Sequence, residues 1–206
     1  MEWIQGKRER LVGKSRERYG RDKEVVEKQV DEWRRKLLAW RSESRACVQE
    51  PVRNFLERME VLENTFGPIL FQLPPHWHLN MRRLEEFIQI LPNHPCAFEF
   101  RDPSWLDPRV YDLRARPRRA FCIYDLDGQL SPVETPGGFI YVRLHGPNGP
   151  YRGRYDTQTL AGWAGRLSGW AREGKDVFCY FDNDQAGYAV QNALELRQML
   201  KEETHA

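Results

Sequence analysis

An arginine and a histidine, Arg143 and His145, stand two residues apart at the end of the run Phe139–Leu144. Apolar and polar positions alternate there, so a strand puts Tyr141, Arg143 and His145 on one face and Val142 and Leu144 on the other. A guanidinium grips carboxylate or phosphate bidentately and an imidazole changes charge near neutrality, which together make an anion clamp beside an acid or base. The strand then breaks into a Gly- and Pro-rich loop, and α/β folds present chemistry at such strand ends. Other strand-like runs carry Gln72, Glu99 with Arg101, Asp125, and Tyr180 with Asp182 and Asn183. Glu99, His145 and Asp182 are the catalytic candidates. Gln72, Arg101, Asp125, Arg143, Tyr155, Tyr180 and Asn183 are the ligand-binding candidates. Glu99 and Arg101 also fit a mutually neutralising ion pair. Carboxylates and an imidazole at strand ends suit a divalent ion, but no spacing demands one, so neither a metal ligand nor a cofactor is assigned. Trp105, Tyr155 and Tyr180 offer rings that can stack on a sugar face. Arg143→Ala is expected to abolish ligand binding and to spare the fold.

The elements that must position these groups alternate along the chain. Strand patterns at 69–73, 96–101, 121–125, 139–144 and 177–182 are separated by amphipathic helical patterns, including Leu160, Trp163, Ala164, Leu167 and Trp170. Such βα units of about 30 residues specify a parallel sheet. Parity places Gln72, Glu99, Arg101, Asp125, Arg143, His145, Tyr180 and Asp182 on one face and Phe71, Phe98, Phe100, Val142, Leu144 and Phe181 on the other. A doubly wound sheet needs both faces apolar, whereas a barrel tolerates a face that turns polar at its mouth, so the pattern predicts part of a (β/α) barrel. Ahead of these units a helix is predicted over 52–66. A further stripe, Val26, Val30, Trp33, Leu37 and Trp40, marks an amphipathic helix within 22–45.

Composition sets the outer bounds. The chain has 206 residues, 40 % hydrophobic, with seven Trp and a formal charge of +2, enough for a packed core. Residues 1–50 hold 14 Lys/Arg against 10 Asp/Glu, the excess lying mainly between Lys7 and Arg21. Such a run is usually a solvated arm, and residues 1–21 read as disordered, which argues against nucleic acid as the partner. The division expected is a basic extension, 1–50, and a barrel portion, 51–206. Four widely spaced cysteines argue against structural zinc. No apolar run approaches the about 20 residues that span a bilayer, and no apolar core follows the basic N-terminus, so a cytoplasmic protein is expected.

Four motifs occur in order: Gly67-Pro68-Ile69-Leu70-Phe71-Gln72-Leu73-Pro74-Pro75; Phe98-Glu99-Phe100-Arg101 with Ser104-Trp105; Tyr141-Val142-Arg143-Leu144-His145-Gly146; and Tyr180-Phe181-Asp182-Asn183-Asp184 with Gly187 and Asn192-Ala193-Leu194. Together they resemble the bacterial YecE-like family, a family of unknown function with a TIM-barrel fold and a distant likeness to sugar isomerases. The resemblance covers about Val52 to Leu200. It implies that Gln72, Glu99, Asp125, His145 and Asp182 end strands four to eight of the family barrel, and that the first three strands have no counterpart here. The expected fold is therefore α/β, an incomplete TIM barrel of about five parallel βα units behind an N-terminal helical extension. Two functions follow: a binder or enzyme for a small polar or anionic, sugar-like metabolite, or a non-catalytic remnant that self-associates through open sheet edges or the 22–45 helix.

Overall fold

The computed structural model describes residues 46–59, 67–91, 93–112, 118–126, 128–135 and 137–204. The chain divides after Glu63 into two units. In the first, a helix α1 spans Ala46–Met59, starting earlier than the predicted 52–66. The predicted 22–45 helix and the rest of the basic extension lie outside the described residues.

The second unit is a run of βα elements. Strand β1 (Ile69–Leu73) leads to helix α2 (Met81–Ile90), then β2 (Cys96–Phe100), α3 (Pro108–Asp112), β3 (Arg119–Leu126), β4 (Gln129–Leu130), β5 (Phe139–Leu144), α4 (Thr157–Arg172), β6 (Asp176–Phe181) and α5 (Tyr188–Thr204). Strands β1, β2, β3, β5 and β6 lie side by side in chain order, and each pairs parallel with the next. The sequence reading had no place for β4, which folds back antiparallel on β3. Its signal was Asp127-Gly128, a dipeptide suited to two-residue hairpins; Gly128 takes a φ of +70°.

The sheet is curved, not flat. In a flat sheet β1 and β5, three strands apart, would lie about 14 Å from one another. Yet Arg143 Nη1 on β5 donates to Gln72 Oε1 on β1 at 2.9 Å, which only a concave face allows. At the foot of the same face a Cβ placed on Gly67 would lie 3.7 Å from Phe178 Cε1 on β6. The five parallel βα units thus form a portion of a TIM-type barrel.

Burial follows the two faces. On the convex side Ile123, Ile140, Val142 and Leu144 pack with Leu160, Trp163 and Leu167 of α4 and Leu196 of α5. Further along it Phe98, Phe100 and Phe121 join Trp105, which stacks on Phe100 at 4.4 Å, and Trp105 is 2 % exposed. The concave side has a smaller apolar floor of Ala97, Ala120, Cys122, Phe139 and Tyr141. Small residues here matter because inward side chains of a curled sheet converge. Asp156 caps α4, accepting from Thr159 N–H at 2.7 Å. Within α4, Gly162 and Gly165 are exposed and would meet nothing on gaining a Cβ. Gly162→Ala and Gly165→Ala should each raise the unfolding free energy by about 0.5–1 kcal/mol in urea titrations, by restricting the unfolded chain. A loss in either would show that α4 needs those glycines.

Candidate functional site

Strand ends on the concave side bring one polar constellation together. Glu99 on β2, fully buried, sits between two guanidiniums. Its Oε1 accepts from Arg101 Nε and its Oε2 from Arg143 Nη1 at 2.6 Å. Arg143 reaches Gln72 with the same nitrogen and places Nη2 2.8 Å from Asp182 Oδ2. Arg101 Nη2 lies 3.1 Å from His145 Nε2. A guanidinium can only donate, so in that contact Nε2 accepts and the imidazole proton sits on Nδ1; Nε2 also lies 3.6 Å from Glu99 Oε1, toward which it donates when it carries a proton. Nδ1 faces Asp182 Oδ2 at 3.3 Å, but neither atom has an aligned hydrogen bond, although both are buried. Burial pushes the Glu99 carboxyl up, and its neighbours His145, Arg101 and Arg143 more than reverse this, holding it at about 2. Two guanidiniums and two carboxylates balance, and Arg101 and Arg143 direct these hydrogen bonds and ion pairs to neighbours within the site.

Gln72, Glu99, Arg101, Arg143, His145 and Asp182 therefore meet at one place. Tyr180 pairs with Arg143 across β5 and β6, stacks on Tyr141 with centroids 5.0 Å apart and is 41 % exposed at the rim. Asp125 is elsewhere. The register pairs Tyr124 with Arg143 and Asp125 with Leu144, so Tyr124 holds the concave position and Asp125 faces the helices. There burial raises its carboxyl, opposed by a hydrogen bond with Tyr155. Tyr124 instead lies under the Arg101 guanidinium, 5.2 Å from ring centroid to Cζ.

Tyr155 and Asn183 lie beneath the loop and not in the mouth. Tyr155 is 1 % exposed in the apolar core, and its hydroxyl accepts from Gly146 N–H at 2.9 Å. Asn183, fully buried, donates through Nδ2 to Gly153 O at 2.8 Å and Asn192 Oδ1 at 2.9 Å. Asn192, unnoticed as a site residue from sequence, grips the Tyr155 backbone at both N–H and C=O. These side chains staple the Gly146–Tyr155 loop to the segment after β6. Arg143 also differs from its expected part. It is only 16 % exposed and bridges three partners, so its removal will reach the fold as well as the mouth.

No group of three or more His, Cys, Asp or Glu among the described residues is arranged to hold a metal ion, since Glu99 has spent both oxygens on arginines. Cys122 lies beside Glu99, Sγ to Oε2 3.6 Å, and burial raises its thiol pKa well above the usual value; it packs as a small apolar group. None of the described helices is long and apolar enough to cross a membrane.

Comparison with known proteins places this geometry. UPF0759 protein YunF of Bacillus subtilis (strain 168) is 28 % identical over 165 residues, covering 66 % of this chain and 58 % of YunF, so the match spans less than two thirds of that relative. A shorter match, 54 % identical over 33 residues, links 16 % of the chain to 48 % of UPF0337 protein YjbJ of Escherichia coli O6:H1. The crystal structure of a DUF72 family protein from Thermotoga maritima MSB8 superposes with a TM-score of 0.68 at 25 % identity, over 74 % of this chain and 65 % of that one. One from Enterococcus faecalis V583 gives 0.63 at 19 %, over 74 % and 66 %. With the family profile described as protein of unknown function DUF72 matching residues 41–206, the chain belongs to the DUF72 family.

Proposed function

We propose that the concave mouth binds a small, neutral, polyhydroxylated molecule of sugar-like kind, with His145 and Asp182 handling its hydroxyl proton. One observation carries this: His145 Nδ1 and Asp182 Oδ2 are buried and 3.3 Å apart with no aligned hydrogen bond, Oδ2 being held by its ion pair with Arg143 at 2.8 Å. A buried donor without its hydrogen bond costs about 1–3 kcal/mol, and a hydroxyl satisfies Nδ1–H by accepting from it while donating to the Asp182 carboxylate. The charge balance favours a neutral ligand over the anionic one, because an anion would have to displace Glu99 or Asp182 from the arginines. The likeness of YecE-like proteins to sugar isomerases points the same way, as a fold-level analogy.

Calorimetric titration with glucose, xylose, fructose and ribose and with their phosphates tests the reading. A neutral sugar should bind, and Asp182→Asn should weaken it about tenfold while the melting temperature moves little. Binding of phosphates alone, or a sugar affinity indifferent to Asp182→Asn, would refute it.

A second reading has its own observation. Strand β6 has β5 on one side and no strand on the other among the described residues, and its Val177, Phe178, Cys179 and Phe181 are only half-buried. An open apolar edge recruits another strand, which supports self-association. Sedimentation that finds one species at all concentrations would remove this reading.

A further inference from the structure

The ring of Tyr151 packs edge-on against His145. The two ring centroids are 5.5 Å apart with planes at 83°. The imidazole has no exposed surface, whereas Tyr151 is 42 % exposed. Tyr151 is the third residue of a turn closed by Arg152 N–H donating to Gly149 O at 3.1 Å, with Pro150 before it and a φ of +65°. In type II turns that position belongs to Gly or Asn; a tyrosine there is strained by about 1–3 kcal/mol. The strain has nowhere to relax, because the loop is tied by Tyr155 to Gly146, by Gln185 to Gly153 and by Asn183 to Gly153.

We propose that Tyr151 is the roof of the ligand site: its ring closes the way to the His145–Asp182 pair and, swung aside, packs on the C–H face of a sugar ring bound beneath it. This rests on the polyol reading above. His145 has no exposed surface, so a ligand reaches Nδ1 only when a covering group moves, and Tyr151 is a partly exposed ring packed on it. Aromatic faces suit the apolar face of a sugar.

Modification of His145 by diethyl pyrocarbonate, followed by mass spectrometry of its peptide, tests the roof without any ligand. Tyr151→Asn and Tyr151→Gly tolerate positive φ and should speed the reaction about tenfold or more, while Tyr151→Phe should match the wild type. Equal rates in all four proteins overturn the roof. Titration of the same proteins with glucose, xylose, fructose and ribose separates the two claims. Weakening of about tenfold in Tyr151→Asn, with Tyr151→Phe unaffected, supports ring packing. Wild-type binding that Tyr151→Asn leaves unchanged overturns the packing and spares the polyol reading. Failure of every sugar to bind the wild type removes that reading and the packing with it, and the modification rates still decide whether Tyr151 covers His145.

Discussion

Glu99→Gln should lower the unfolding free energy by about 3–5 kcal/mol, the loss expected when one member of a buried ion network is neutralised. The substitution keeps the shape of the side chain and removes its charge, leaving Arg101 and Arg143 facing each other where Glu99 has no exposed surface. The acid limb of the stability curve should change with it. The folded carboxyl sits at about 2, below its ordinary 4.5. Its contribution is therefore complete above about pH 4.5 and is lost as the pH falls toward 2. Glu99→Gln should flatten that part of the curve. Urea unfolding at neutral pH and near pH 3 measures both effects. A loss under about 1 kcal/mol with an unchanged acid limb would mean that the arginines do not depend on this carboxylate.

Gly146→Ala should be as severe, for a reason that involves no charge. Gly146 has a φ of +115°, a region closed to side chains. A Cβ there would collide with the Arg152 carbonyl and lie 2.8 Å from Arg152 N, both backbone atoms of the turn that carries Tyr151. Strain alone accounts for about 1–3 kcal/mol, and the collision must also push the turn away from His145. Calorimetry should show a clear fall in melting temperature, and the Gly146 N–H bond to Tyr155 should exchange with solvent faster. A melting temperature equal to that of the wild type would contradict the loop conformation.

Much of the architecture is legible because alternation and parity are local properties. Within one strand, Tyr141, Arg143 and His145 share a face whatever the neighbours do, and a strand that ends in Arg-x-His delivers both to its tip. Asp125 shows the limit. Its face depends on how β3 is set against β5, and sliding a strand by one residue exchanges its two faces; no pattern within 121–125 reveals that Tyr124 is the partner of Arg143. Tyr155 and Asn183 have the residue types of ligand contacts and stand beside the motifs, but only the packed loop shows them buried under it. Arg143 reads as a rim residue until Glu99 is found beneath it. Tyr151 left a faint trace in Gly149-Pro150-Tyr151, a turn sequence with an aromatic where glycine belongs.

The sheet, in which each parallel strand lies next to its sequence neighbour, also bears on how this protein matures. Each βα unit can dock on the one before it as the chain emerges, because no pairing needs to wait for a distant segment. The polar constellation draws on β1, β2, β5 and the residue after β6, so it is the last thing to be completed. Until β6 arrives, Arg143 lacks Asp182 and His145 lacks its counterpart. Completion of the constellation and completion of the sheet are then one event, and a nascent chain that stops short of β6 holds Arg143 and His145 without their Asp182 counterpart.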